Sequence, residues 1–381
     1  MPSLGLYLHI PFCKSKCLYC DFCSFPRPRE ADMEAYVGAL CRDLAKQAES
    51  CRSYCVDTVY LGGGTPTVLP ARLLKRIMET VTAHYHVAAD AEITAECNPA
   101  TADRDLLARM RRAGWNRLSI GLQSAQPGEL KALGRLHSFD QFLDTWEAAL
   151  SAGFSNLSAD VMLGIPYQTK ESFADTLEKL LACNPRHLSA YSLTVEEGTP
   201  FGRRGADALH LPEEDCVTEM YQEMVATLNA RGLEQYEISN FARPGYESRH
   251  NLKYWNMNPY LGFGVGAYSD FGGQRFGNGR DFEAYLRGED ITVERETPDV
   301  HERRNEYVML QMRLRAGVSL KAMADRFGDA AVRETAEGLH RYMDGGFVRQ
   351  TREGYAFTVK GMLVSNSILS DLLNFGAETK L

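Results

Sequence analysis

Residues 9–23 read HIPFCKSKCLYCDFC. Four cysteines, Cys13, Cys17, Cys20 and Cys23, fall within eleven residues. The first three have the spacing C-x3-C-x2-C and sit in one loop after the short apolar run 4–10. Thiolates are soft ligands that suit zinc or iron–sulfur clusters. Structural zinc sites usually draw paired cysteines from two places in the chain, and no second pair accompanies this loop. One short loop can instead wrap three corners of a cubane and leave its fourth iron open. Ligation by closely spaced cysteines is general iron–sulfur practice. The open iron needs a vacancy, so Cys23 is read as a spare thiol.

The bulk properties narrow the setting. At 381 residues the chain predicts one large domain plus a smaller one. A formal charge of −8, with Lys and Arg spread along the chain, argues against a broad nucleic-acid footprint. The stretch before Cys13 is too short for a signal peptide and carries no basic start or cleavage site. No apolar run is long enough to span a bilayer. A cytoplasmic protein is the expectation, with its ten cysteines as thiols or ligands rather than a disulfide framework.

From residue 4 to about 195, apolar runs alternate with amphipathic stretches. Strands are predicted at 4–10, 56–61, 91–97, 117–122, 157–162 and 187–193. Helices are predicted at 32–48, 71–84, 102–113, 139–152 and 170–182, with Ser138 and Thr101 as N-caps. This alternation predicts an α/β fold with a parallel sheet, and six such units could close partly into a barrel. Functional residues would then sit at the carboxyl ends of the strands. The domain reading is 1–230 for the core, 231–300 for a Gly- and aromatic-rich extension with a helix at 213–231 on its border, and 301–381 for a small helical unit. In that last unit, helices at 301–315, 320–327 and 330–344 precede a hairpin turning near Glu353 and Gly354 and a closing helix at 359–373. The order suggests a winged-helix-like domain.

The cysteine spacing, with Tyr19 just before the third cysteine, resembles the radical S-adenosylmethionine (SAM) superfamily. The resemblance implies a partial (β/α)6 barrel and a [4Fe–4S] cluster on Cys13, Cys17 and Cys20. It also implies SAM chelated on the open iron through its amino and carboxylate groups, and electron transfer that cleaves the sulfonium to a 5′-deoxyadenosyl radical. Residues 61–66, LGGGTP, follow the second strand, where glycines let a backbone approach a ligand. Gly63, Gly64 and Thr65 match the family's loop at the methionine end of SAM. Tyr7, Glu96, Gln123, Arg135 and Asp160 match further family motifs, with roles implied toward the ribose, amino group and carboxylate.

The segments LYLHIPFC, GGGTPT, GLQS, DVMLGIP and YEISNFARPG narrow the resemblance to the branch that resembles coproporphyrinogen oxidase (HemN-like). That branch holds heme chaperones of the HemW type and the oxygen-independent coproporphyrinogen III oxidase, a SAM-dependent enzyme that removes carboxyl groups from two propionates. Three features favour the chaperone: the cysteine motif starts near residue 1, Phe22 stands where the oxidase carries a fourth cysteine, and residues 249–255, RHNLKYW, match the HNxxYW motif linked to heme binding. A neutral imidazole is a standard axial ligand, so His250 is the candidate heme ligand, with Tyr254 and Trp255 to cover a porphyrin face. A lone histidine without that motif would be read as capping or packing. One departure is Tyr268, in GVGAYS, where relatives commonly carry histidine. The expected partners are heme, a heme-acceptor protein and an electron donor for the cluster. The oxidase remains the alternative, and an enzyme acting on another tetrapyrrole is a third reading.

Overall fold

Strand β1 (Ser3–Ile10) alternates its two faces: Leu4, Leu6, Leu8 and Ile10 are fully buried on one, while Tyr7 and His9 turn to a central cavity on the other. This is the pattern of a parallel strand covered on both sides. It is followed by β2 (Cys55–Gly63), β3 (Val87–Cys97), β4 (Arg117–Gln123), β5 (Asn156–Leu163) and β6 (His187–Ser192). The six pair in parallel and in chain order. Between them run α1 (Glu30–Gln47), α2 (Ala71–His84), α3 (Arg104–Arg112), α4 (Phe139–Ser151) and α5 (Lys170–Ala182). The computed structural model describes residues 1–373, so residues 374–381 of the expected C-terminal unit lie outside the described residues.

Helix starts follow local chemistry. Ser138 caps α4 in a reciprocal box with Gln141. Thr101, expected to cap α3, does not. Residues Pro99–Thr101 form a 3-10 turn, and the Thr101 hydroxyl is taken by Thr67 Oγ1 at 2.6 Å and Asn98 O at 2.7 Å. Asp103 caps instead, accepting from the Leu106 N–H at 2.8 Å.

The stretch after β6 completes the same sheet. Following α6 (Glu214–Ala230), β7 (Glu234–Gln235) and β8 (Asn240–Ala242) add antiparallel to β6. Helix α7 (Arg249–Trp255) comes next, capped by Ser248. Then β9 (Tyr260–Phe263) docks parallel to β1 on its free side, and β10 (Tyr268–Phe271), β11 (Gln274–Asn278) and β12 (Thr292–Glu296) continue antiparallel. The order runs β12-β11-β10-β9-β1-β2-β3-β4-β5-β6-β8-β7, an open sheet whose six central units form a partial barrel.

The C-terminal region packs helices Val300–Gln311 and Leu320–His340 on a three-stranded sheet of Val318–Ser319, Gly354–Phe357 and Val348–Gln350. Its second helix is one run broken at Gly328, whose φ of 81° interrupts the helical path where two helices are predicted. The closing helix likewise divides into Val359–Leu363 and Ser365–Leu372. Met312, Met323, Leu339 and Phe357 form a core of its own. A short antiparallel contact ties this region to the barrel: the Ile238 N–H donates to Arg313 O at 3.0 Å, and the Arg315 N–H to Tyr236 O at 2.9 Å. Among the described residues no helix is long and apolar enough to cross a membrane.

Asp103→Ala is expected to lower unfolding stability by about 1 kcal/mol, the usual cost of a lost N-cap. Urea unfolding measures it, and an unchanged midpoint would remove Asp103 from that role.

Candidate functional site: a cavity at the carboxyl ends of the strands

The cysteine loop is laced to the barrel by its backbone. The Gly64 N–H donates to Ile10 O at 2.9 Å and the Thr65 N–H to Phe12 O at 2.7 Å, which joins the turn after β2 to the end of β1. A side chain at Gly64 would meet the Ile10 and Phe12 backbone at 2.6 to 2.9 Å, so only glycine permits this approach. Farther along, the Leu18 N–H donates to Leu133 O at 3.1 Å and the Phe201 N–H to Leu18 O at 3.0 Å. Cys13, Cys17 and Cys20, each half-buried, thus line one side of a cavity of about 1150 Å³.

Two sulfurs have polar neighbours. The Thr65 hydroxyl points to Cys13 Sγ at 3.5 Å, and Arg135 Nη1 to Cys17 Sγ at 3.6 Å. Burial pushes the Cys13 thiol up and the Cys20 thiol up to about 11. Bare thiolates are therefore disfavoured here, and a bound metal centre would supply the positive charge that holds them deprotonated. Among the described residues no three His, Cys, Asp or Glu side chains converge on a single ion. A donor set spread along one loop suits a multi-iron cluster better than one zinc. Cys23 stands beside them; its carbonyl accepts from His9 Nε2 at 2.8 Å, and its Cβ packs over Gly266.

The opposite wall carries buried charge. Glu96, near the end of β3, accepts from the Tyr60 hydroxyl at 2.9 Å and the Gly63 N–H at 3.0 Å. Burial, followed by repulsion from Asp160, pushes its carboxyl up to about 7. Asp160 on β5 is likewise pushed up by burial and accepts from the Ser119 hydroxyl at 2.9 Å. Arg135 donates to Gly121 O at 2.6 Å, and the missing side chain of Gly121 leaves room for its guanidinium beside the Gln123 amide. Gln123 adopts a left-handed φ of 68° at the end of β4, a strained conformation of the kind that gathers at functional sites. Tyr7, Tyr19, Gly63, Gly64 and Thr65 line the same cavity. A ligand bearing both an ammonium and a carboxylate would meet opposite charges in Glu96, Asp160 and Arg135.

His250 sits elsewhere. It is 1% exposed and lies outside the cavity lining, stacked on Tyr60 with ring centroids 5.2 Å apart. Its Nδ1 is 2.8 Å from the Thr58 hydroxyl and its Nε2 2.8 Å from the Tyr254 hydroxyl. Burial lowers its pKa to about 3, so the ring is neutral. Both nitrogens are engaged, and Tyr254 rather than His250 faces the cavity. The expected presentation of this imidazole to heme iron is not what this arrangement offers. Trp255 also lies outside the lining, and its carbonyl accepts from Gln311 of the C-terminal region at 2.9 Å.

Sequence reasoning passed over Arg117, the first residue of β4. It is 2% exposed and lines the cavity, where its positive charge acts on both Glu96 and Asp160. The available signal was a charge opening the otherwise apolar strand RLSIGLQ. Tyr60 and Tyr191, also in the lining, gave no such signal.

Residues 7–180 match the radical SAM superfamily and residues 299–364 the HemN C-terminal domain. The heme chaperone HemW of Escherichia coli (strain K12) is 39% identical over 268 residues, 70% of this chain and 70% of its own. HemW of Bacillus subtilis (strain 168) is 33% identical over 96% of this chain and 98% of its own. Among solved structures, coproporphyrinogen III oxidase (HemN) of Escherichia coli covers 98% of this chain and 91% of its own, with a TM-score of 0.86 at 23% identity. That likeness establishes a common fold.

Two substitutions test the site. Gly64→Ala is expected to lose at least half of the iron and sulfide bound on anaerobic reconstitution while keeping the far-UV circular dichroism of the wild type; full loading would show that the lacing is dispensable. Glu96→Gln is expected to stabilise the ligand-free chain at pH 8 by roughly 3 kcal/mol. The carboxyl's folded pKa of about 7 lies above its ordinary 4.5, so its contribution to stability is intact below 4.5 and is lost as the pH rises through 7. The advantage of the variant should therefore shrink on acidification and vanish below pH 4.5. Urea unfolding at several pH values checks this, and an advantage independent of pH would refute the buried-charge account.

Proposed function

This chain belongs to the HemW family of the radical SAM superfamily, and from that premise we propose that it binds heme and passes it to acceptor proteins. The observation that carries the reading is the identity to HemW chaperones along nearly the whole chain, 33% over 96% of it. The geometry beside it agrees in kind: α7, which holds the HNxxYW residues, packs directly behind the cavity with Tyr254 at its wall.

In this reading Cys13, Cys17 and Cys20 would hold a [4Fe–4S] cluster, and Glu96, Gln123, Arg135 and Asp160 would hold SAM in the same cavity. When bound, the cluster supplies an electron at the sulfonium of SAM. The chain's own residues do the positioning. Arg135 meets a carboxylate while staying near the Cys17 sulfur, Glu96 and Asp160 meet an ammonium, and Arg117 tempers their mutual repulsion. Thr65 donates toward the Cys13 sulfur, which lowers the charge density on that ligand. His250 fixes the Tyr254 hydroxyl at the cavity wall. An external electron donor and an acceptor apoprotein are the partners this reading requires. The ten free cysteines suit a reducing cytosol.

Anaerobically reconstituted protein, loaded with ferric heme and passed over a sizing column, is expected to retain one heme per chain. Incubated with coproporphyrinogen III, SAM and a strong reductant, it is expected to leave that substrate unconverted. Failure to retain heme would sink the chaperone reading, and conversion of the substrate would move the assignment to the oxidase.

A further inference from the structure

The cavity is large, and part of its wall has no assigned ligand. Small-molecule sites usually occupy roughly 300–1,000 Å³, against about 1150 Å³ here. The residues assigned to SAM lie on the cysteine loop, on β1 to β5 and on the connections that follow β2 and β4. The remaining wall, from β9 to β12, is assigned to nothing, although Tyr260, Tyr268, Arg280 and Val293 line the same space.

That wall has a distinct build. On β11, Gly277 leaves a gap filled by the Tyr268 ring, whose atoms stand 2.6 to 3.1 Å from where a Gly277 Cβ would be. Just beyond β11, the Val293 side chain covers Gly279 in the same way, at 2.8 Å. The result is an apolar shelf on the cavity wall, and Phe22 of the cysteine loop lines the same cavity. Phe22, Tyr268 and Val293 are 66%, 52% and 64% exposed, an unusual gathering of open apolar side chains. Among the described residues the Tyr268 hydroxyl has no hydrogen-bond partner, whereas the hydroxyls of Tyr7, Tyr60 and Tyr254 deeper in the cavity all have one. Arg280 stands at the same rim with a single loose contact, 3.8 Å to the exposed Asp21.

A flat apolar shelf, a free oxygen donor and an exposed guanidinium fit the three parts of an iron porphyrin: its apolar macrocycle, its metal and its propionates. Phenolate oxygen is an established axial ligand of ferric heme, and guanidinium pairs with carboxylate in a bidentate fork. A carrier must also release its cargo, which favours the rim over a sealed pocket. We propose that ferric heme docks at this rim, beside and not within the SAM site, with Tyr268 as its axial ligand and Arg280 pairing with a propionate. Ligation forms one Fe(III)–O bond, displaces a water or other weak ligand from the iron and releases the phenol proton to solvent; no electron moves. The inference rests on the heme-carrier reading and names the seat within it.

The test is ferric heme titration of the cluster-loaded protein, read by absorption and resonance Raman spectra, for the wild type, Tyr268→Phe, Tyr268→His, Arg280→Glu and His250→Ala. The wild type is expected to show a phenolate-to-iron charge-transfer band. Tyr268→Phe should abolish that band and weaken retention about tenfold, and Tyr268→His should restore retention with an imidazole-type spectrum. Arg280→Glu should weaken retention and keep the band, as should His250→Ala keep it. Tyr268→Phe removes one half-exposed hydroxyl, and unchanged cluster absorbance controls for folding. A wild type that binds heme with no phenolate band, or a Tyr268→Phe variant that binds as the wild type does, overturns the seat and leaves the carrier reading standing. A wild type that binds no heme overturns both.

Discussion

The backbone contact between the turn after β2 and the end of β1 is the constraint on which the site depends. Gly64 and Thr65 donate to the last carbonyls before Cys13, so the first cysteine is held by main-chain bonds. Nothing about that contact requires a metal. The loop is shaped by the parallel sheet, which brings the carboxyl ends of β1 and β2 side by side with Ile10 opposite Gly63. A short chain of cause follows: parallel pairing aligns the strand ends, glycine lets them touch, and the touch fixes where a thiolate can stand. Glycine here serves packing as much as ligand approach, because the space beside Gly64 is filled by protein.

Against this frame the cavity stores electrostatic cost. Glu96 and Asp160 are both buried and both pushed toward the neutral form. A sheet selected for stability alone would replace them with apolar side chains. Arg117 and Arg135 offset part of the penalty, and each leaves its Nε without a partner. Buried groups of both signs around one space are what a zwitterionic ligand would complete. The cost borne by the ligand-free chain becomes affinity when the ligand arrives.

Much of this was legible in the sequence. The six parallel strands and five helices fall within a few residues of the hydrophobic pattern, because that pattern records burial on both faces of a sheet. Glu96, Gln123 and Asp160 were singled out by the family motifs they match, and the pattern set the strands β3, β4 and β5 on which they stand. Three things were harder to read. Strands β7 to β12 are two to five residues long, too short for periodicity to register, so their membership of the same sheet had no local signal. The cap at Asp103 was hidden by a 3-10 turn that delays the helix by two residues beyond its apparent start. The facing of His250 had no signal, because a motif gives identity and spacing but not facing: α7 turns Tyr254 to the cavity and His250 to Thr58. A buried imidazole with two hydroxyl partners is also the ordinary fate of histidine in a packed interior.

The placement of α7 bears on how the two halves of the chain could act together. Its carboxyl end is held by Gln311, which donates to the carbonyl of Trp255 at 2.9 Å and lies 3.1 Å from the Asn256 side-chain oxygen. Its middle is held by Lys253, buried against Asp57 at the start of β2 at 2.6 Å. The helix is therefore clamped between the C-terminal region and the strand whose far end carries Gly63. Tyr254 stands on that clamped helix, with its hydroxyl set by His250. A shift of the C-terminal region against the barrel would move the cavity wall at Tyr254 and leave the cysteine loop, laced to β1, in place. The cavity wall at Tyr254 and the cysteine loop are thus tied to different parts of the sheet, so a change that shifts one need not disturb the other.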